Sequence, residues 1–154
     1  MLRYMGKKVF FVTNNSTRAR AQVMRKLKEM GLQASTSEVY SSGYAAGQYL
    51  RSKWFGKKVY CIGEAGMTEE MRIAGVKALG GPSHADKKID TSGPMVVDKD
   101  VGAVVVGLDK EINYFKIQYA LTCLLTIKDC MFIASNTDAR GNLIAGGQEW
   151  AGAG

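Results

Sequence analysis

The sequence predicts an α/β fold with parallel strands, and two observations carry that expectation. Short apolar runs rich in β-branched and aromatic residues alternate with amphipathic stretches of helical length. The strand-like runs are separated by helical patterns rather than two-residue turns, so successive strands are joined by crossovers in βαβ units.

The first run is Lys8-Val9-Phe10-Phe11-Val12-Thr13, followed by Asn14-Asn15-Ser16, residues that favour turns and cap helices. Residues 17–30 then read as a helix, with Ala19, Val23, Leu27 and Met30 on one face and Arg18, Arg25 and Lys28 off it. Gly31 is placed to end it as a left-handed cap. A helix is expected around 42–53, a strand over Lys58–Gly63 and a helix from Glu64 to about Ala74. Residues 78–100, with Gly80-Gly81-Pro82 and Gly93-Pro94, read as loop. The most apolar stretch, Gly102–Leu108, predicts a buried strand. Asn113 caps an expected helix to about Leu125, and Cys130–Ala134 is a further strand.

Composition narrows the classes of function. The 154 residues, 46% hydrophobic and 23% charged, suit a folded soluble chain, and no apolar run has the ~18–20 residues of a membrane span. The start of the chain lacks the apolar core of a secretion signal. Cys61, Cys123 and Cys130 match no zinc or redox spacing and lie in apolar runs, so reduced buried thiols and a cytoplasmic location are expected. The net charge of +7 resides in residues 1–30, which hold eight basic side chains against Glu29 alone. No nucleic-acid-binding module or exposed aromatic pattern accompanies that excess, so nucleic acid is not the expected partner.

A hydroxyl at the C-terminal tip of a parallel strand, followed by backbone N–H groups at a helix start, makes a cradle for phosphate. Thr13-Asn14-Asn15 has that form, which by itself better fits an ordinary strand end before a capped helix. The wider context decides between them. The segment Gly6–Arg20 resembles the second motif of haloacid dehalogenase-type phosphatases, in the branch acting on 4-nitrophenyl phosphate, phosphoglycolate and pyridoxal phosphate. Leu27–Gly31, Val59–Gly63, Val101–Asp109, Tyr114 with Lys116, and Ile133–Asp138 resemble further parts of the same family, in its order and spacing.

The resemblance implies a Rossmann-like core strand–helix piece at residues 1–33, followed by an α/β cap domain at residues 34–154. It implies phosphate binding by Thr13, Asn14 and Asn15, and a substrate-specificity loop containing Asn136, Asp138 and Arg140, whose forked guanidinium suits a substrate carboxylate. Family members form an aspartyl-phosphate on an Asp-x-Asp strand that precedes the Thr motif, and hold Mg²⁺ on Asp residues that follow the cap. Neither set is found in this sequence, so no catalytic or metal-ligating residue is assigned. The chain is expected to be an inactive fragment of a Mg²⁺-dependent phosphatase for small phosphorylated substrates, with a homodimer through the cap as a further expectation. The competing expectation is a non-catalytic cap-type α/β module that binds an anion or a partner chain.

Four other features read as structural. Asp98-Lys99-Asp100 has the Asp-x-Asp form, but it follows the Thr motif and runs straight into a strand, as a solvated turn would. His84 reads as a surface histidine, and Gly63-Glu64-Ala65-Gly66 lacks the third glycine of a dinucleotide turn. Tyr40, Tyr44, Tyr49 and Trp54 are spaced as packing residues on one helix face.

Overall fold

The computed structural model describes residues 2–53, 55–141 and 147–153. It is an α/β structure in which every strand pair of the four-stranded sheet, and of one of two two-stranded sheets, is parallel. β1 (Phe11–Thr13) leads into α1 (Arg20–Glu29), and β2 (Val39–Ser41) returns beside β1 before α2 (Ser42–Ser52). β3 (Lys58–Ile62), α3 (Ala65–Ile73), β4 (Ala78–Gly80), β5 (Val101–Val106), α4 (Tyr114–Thr126) and β6 (Met131–Ala134) build a second sheet in the order β4-β3-β5-β6. Finally β7 (Arg140–Gly141) and β8 (Trp150–Ala151) pair antiparallel.

The four-stranded sheet is covered on both faces. Val59, Cys61, Ala103 and Val105 pack on one side with Ala46 and Leu50 of α2 and Met67 and Met71 of α3. Tyr60, Ile62 and Val104 alternate to the other side, against Tyr119, Ala120 and Cys123 of α4. Tyr60 and Tyr119 stack with ring centroids 4.3 Å apart. The pairing of β5 with β3 skips Gly102, so Val101 and Val104 share a face although two residues lie between them, where regular alternation would put them on opposite faces.

Most of the expected elements form within two or three residues of their expected ends. Gly31 follows α1 with φ +78, the left-handed conformation its position called for. The Asn113 side chain accepts the Lys116 N–H at 2.9 Å and caps α4. Four strands differ from the reading as loop or connection: β2 and β4 are three residues each and β7 and β8 two each, too brief for any periodicity, and they owe their existence to the strands beside them. The first helix begins at Arg20 rather than residue 17, because Asn15 Oδ1 takes the Thr17 N–H and hydroxyl, both at 2.8 Å, in a local turn. Tyr40 lies on β2, not on a helix, where its ring meets Phe10 and Tyr44 edge-on; Trp54 lies outside the described residues.

His84 is half-buried, not a surface side chain. Its Nδ1 lies 3.1 Å from the Tyr60 hydroxyl, and its ring stands edge-on to Phe115. Asp98 and Asp100 flank Lys58, at 2.8 and 3.5 Å from Nζ, while the Tyr119 hydroxyl accepts the Asp98 N–H. That pair is therefore a structural turn at the foot of β5. Cys61 and Cys123 are buried and Cys130 half-buried, all as free thiols. Burial pushes the Cys61 and Cys123 thiols up to about 12, which leaves them protonated and unreactive at neutral pH. Among the described residues, no helix is long and apolar enough to cross a membrane.

Candidate functional site

Parallel strands expose their C-terminal ends on one side of the sheet, and ligands of such folds gather there. The segments that follow β1, β5 and β6 converge here on a single cleft of about 760 Å³. Thr13, Asn14 and Asn15 form one wall, and Asn136, Asp138 and Arg140 form another. Two residue groups more than a hundred positions apart in sequence are thus neighbours in space. The Asn14 amide Nδ2 donates to Asp138 Oδ2 at 2.6 Å, a direct bond between the two walls.

The Thr13–Thr17 turn is fixed from several directions. The Asn15 N–H donates to Thr13 Oγ1 at 3.2 Å, and the Ser42 hydroxyl donates to the Asn14 carbonyl at 2.9 Å. Ser16 is buried, and its Oγ accepts the Leu108 N–H at 3.3 Å, which docks the turn against the end of β5. Gly107 faces this hydroxyl: a Cβ there would come within 2.6 Å of Ser16 Oγ. Gly66 matters in the same way, since its N–H donates to the Thr17 carbonyl at 3.1 Å and a Cβ would overlap that carbonyl. The Gly63–Gly66 turn is therefore filled by the backbone of residues 17 and 18, and has no room for a dinucleotide.

The start of α1 is not the open cradle that the sequence suggested. Glu70 of α3, almost fully buried, accepts the Arg20 N–H at 2.6 Å and pairs with the Arg20 guanidinium at 3.2 Å. The same guanidinium lies over the Tyr44 ring, 3.6 Å from its centroid. A carboxylate of the protein itself satisfies this helix end, so the strand-end turn alone faces the cleft.

The cleft also contains residues that sequence reading did not assign to a site. Arg18, Lys26 and Lys110 bring positive charge, and Lys110 Nζ lies 3.3 Å from Glu64 Oε1. Gln22 and Lys26 lie four residues apart on α1, a spacing that puts them on one stripe of the helix and was legible, while Arg18 enters the cleft from the turn before the helix. Lys110 carried no such signal. It is positioned by its neighbour Asp109, which is buried and paired with the fully buried Lys116 at 2.7 Å. Lys116 Nζ also donates to the Glu111 carbonyl at 3.0 Å, so the loop after β5 is pinned on both sides of Lys110. Arg140 lies at the rim, 75% exposed, and its guanidinium pairs with Glu149 at 2.5 Å.

Comparison with known proteins places the fold in a family. Residues 1–77 match the family of haloacid dehalogenase-like hydrolases. The chain is 46% identical to phosphoglycolate phosphatase 1A, chloroplastic, of Arabidopsis thaliana, over 100% of this chain and 43% of the relative. It is 36% identical to a 4-nitrophenylphosphatase of Schizosaccharomyces pombe, over 90% of this chain and 48% of the relative. Among solved structures it is similar to a p-nitrophenyl phosphatase from Archaeoglobus fulgidus, with a TM-score of 0.76 and 30% identity. That match covers 99% of this chain and 50% of the other. The chain thus spans about half the length of the proteins it matches.

Proposed function

Because the chain belongs to the haloacid dehalogenase-like hydrolases, we propose that its cleft is the phosphate-holding and substrate-gating half of a phosphatase for small phosphate esters. One observation carries this reading: the strand-end turn Thr13–Asn15 and the loop Asn136–Arg140 line the same basic cleft. Thr13 donates its hydroxyl to a phosphoryl oxygen, and Asn14 donates its amide beside it. Arg18, Lys26 and Lys110 supply the field that draws in an anion. The phosphate contacts serve every ester alike. The loop Asn136–Arg140 faces the part of the substrate that varies, so the choice among phosphate esters rests there. Residues 1–33 act as the core piece and the cap follows, with the expected boundary moved past β2, since Val39–Ser41 pair with β1.

This chain alone binds such an ester without hydrolysing it. The reading rests on its carboxylates: residues 1–85 contain no Asp, so none can act as nucleophile ahead of Thr13. Of the carboxylates lining the cleft, Asp138 accepts the Asn14 amide and Glu64 lies against Lys110. No three His, Cys, Asp or Glu side chains come together among the described residues. These residues do not fit the Mg²⁺ that the resemblance implies. On this view the anion-binding module and the phosphatase are one reading, seen without and with the rest of the catalytic machinery. The three free thiols suit a reducing compartment such as the cytoplasm.

The test is a titration of the ¹⁵N-labelled chain with inorganic phosphate and with 4-nitrophenyl phosphate. Amide shifts should move at 13–17 for both ligands and at 136–140 for the ester. Thr13→Val should weaken both ligands together, with no release of nitrophenol above the buffer rate. Shifts confined to another face would overturn the reading.

A homodimer through the cap has support in the outer stripe of α4. Tyr114, Ile117, Leu121 and Leu125 project from one face, Leu125 at 76% exposure, beside the edge strand β6 with Phe132 at 61%. Leu125→Glu should then turn a sedimenting dimer into a monomer.

A further inference from the structure

We propose that Asp138 is a latch: its carboxylate holds the Asn14 amide until an entering phosphate takes that amide and drives the Asp138 side chain away. This rests on the reading of the cleft as a phosphate site and adds a competitor that any anion must displace.

Both ends of the contact are anchored through their backbones, so it is not a chance meeting of two loose side chains. On one side the Asn14 carbonyl is held by the Ser42 hydroxyl at 2.9 Å. On the other, the Asp138 N–H donates to Asn136 Oδ1 at 3.0 Å, closing a turn after β6. The Gly152 N–H donates to the Ala139 carbonyl at 2.9 Å, and a Cβ on Gly152 would overlap the Asp138 carbonyl. Between these anchors the bond from Asn14 Nδ2 to Asp138 Oδ2 is 2.6 Å, the length of a charge-assisted hydrogen bond.

The chemistry then makes the two acceptors rivals. A phosphate oxygen asks the Asn14 amide for the same bond the carboxylate already has. The amide has a second N–H, but an oxygen bound there would stand close to the carboxylate on the first. Both acceptors are anions and like charges at such separations repel, so the phosphate displaces the carboxylate rather than sharing the nitrogen with it. Arg18, Lys26 and Lys110 favour whichever anion occupies the cleft, and an incoming dianion carries more charge than a carboxylate. Ligand entry therefore frees the loop Asn136–Arg140 from the strand-end turn. By reciprocity, anything that holds the latch shut weakens phosphate by the same factor. Asp138 acts on the ligand through Asn14, which makes it a positioning residue.

The experiment is the affinity of the whole chain for inorganic phosphate, read from the amides of residues 13–17 at constant ionic strength. Asp138→Ala should bind about two- to fivefold more tightly than the parent, the scale of one exposed charged contact. Asp138→Asn keeps an acceptor for Asn14 but no charge, and should show a smaller gain. With Asn14→Ala as background, removing Asp138 should give less than half that gain, since no amide is left to compete for. If the parent binds phosphate and Asp138→Ala binds equally or more weakly, the latch is wrong and the phosphate site stands. An equal gain in both backgrounds also overturns it, leaving mere repulsion. If no variant binds phosphate, both the latch and the phosphate reading fall.

Discussion

Two parallel strands of this molecule, β5 and β1, are both apolar in sequence and reach opposite degrees of burial. In β5, Val101, Ala103, Val104 and Val105 are inaccessible to solvent, enclosed by α3 on one face and α4 on the other. Around β1, Phe10 is 55% and Val12 81% exposed, and no residue within α1 is fully buried. An apolar strand is thus a capacity for burial, which the rest of the fold either fills or leaves open. The difference also separates the two walls of the cleft: the well-packed sheet sets the loops after β5 and β6, while the open strand β1 leads into the turn Thr13–Asn15.

The widest separation between the two regions should come from the buried ion pair. Lys116→Ala leaves the Asp109 carboxylate enclosed without its partner, which should cost about 3–5 kcal/mol in urea unfolding. Val12→Thr, on the open strand, should stay within about 0.5 kcal/mol of the parent. Comparable losses from the two changes would break the contrast.

A middle-sized effect is expected where the regions join. Gly66→Ala places a methyl group on the Thr17 carbonyl, so residues 17 and 18 must move off α3. Overpacking of this kind costs about 1–3 kcal/mol. The telling readout is hydrogen exchange: amides of β1 and α1 should exchange faster, and those of Val101–Val106 should keep their protection. Equal acceleration in both would mean that the two regions open as one unit.

The same contrast explains what the sequence reveals. β3 and β5 were legible because a strand buried on both faces needs a continuous apolar run, and the edge strand β6 because its run Met131–Ala134 is apolar although Phe132 faces outward. α4 was legible from its cap and its period. β2 and β4 were not, since three residues carry no period and their strand state comes from partners far along the chain. The boundary of α1 shifted because a side-chain turn at Asn15 and a carboxylate from α3 compete for the first amides. At the site, Thr13–Asn15 and Asn136–Arg140 were each legible by resemblance to a family motif. That Asn14 bonds Asp138, or that Lys110 enters the cleft, depends on how the loops after β1, β5 and β6 meet. No local pattern encodes such a meeting.

The smallest expected effect is a pH dependence that belongs to the well-packed region alone. Burial against Tyr60 and Phe115, and then the positive charges of Lys87 and Lys116, hold the His84 imidazole below its ordinary value of 6.5. The unfolded chain restores the ordinary value, so below about pH 6.5 it binds a proton that the folded chain refuses. Stability should therefore be complete above that pH and decline as the pH falls through the lowered folded value, levelling once both states are protonated. His84→Gln removes the titration, so comparing the two proteins cancels the carboxylates, which titrate in both. The stability difference between parent and variant should change between about pH 7.5 and pH 5, always to the parent's cost on acidification. Parallel curves would show that His84 is solvated like a surface residue. Because the imidazole sits on Tyr60 of β3, the acid-induced loss should appear as faster exchange at β3 and β5, with β1 unchanged.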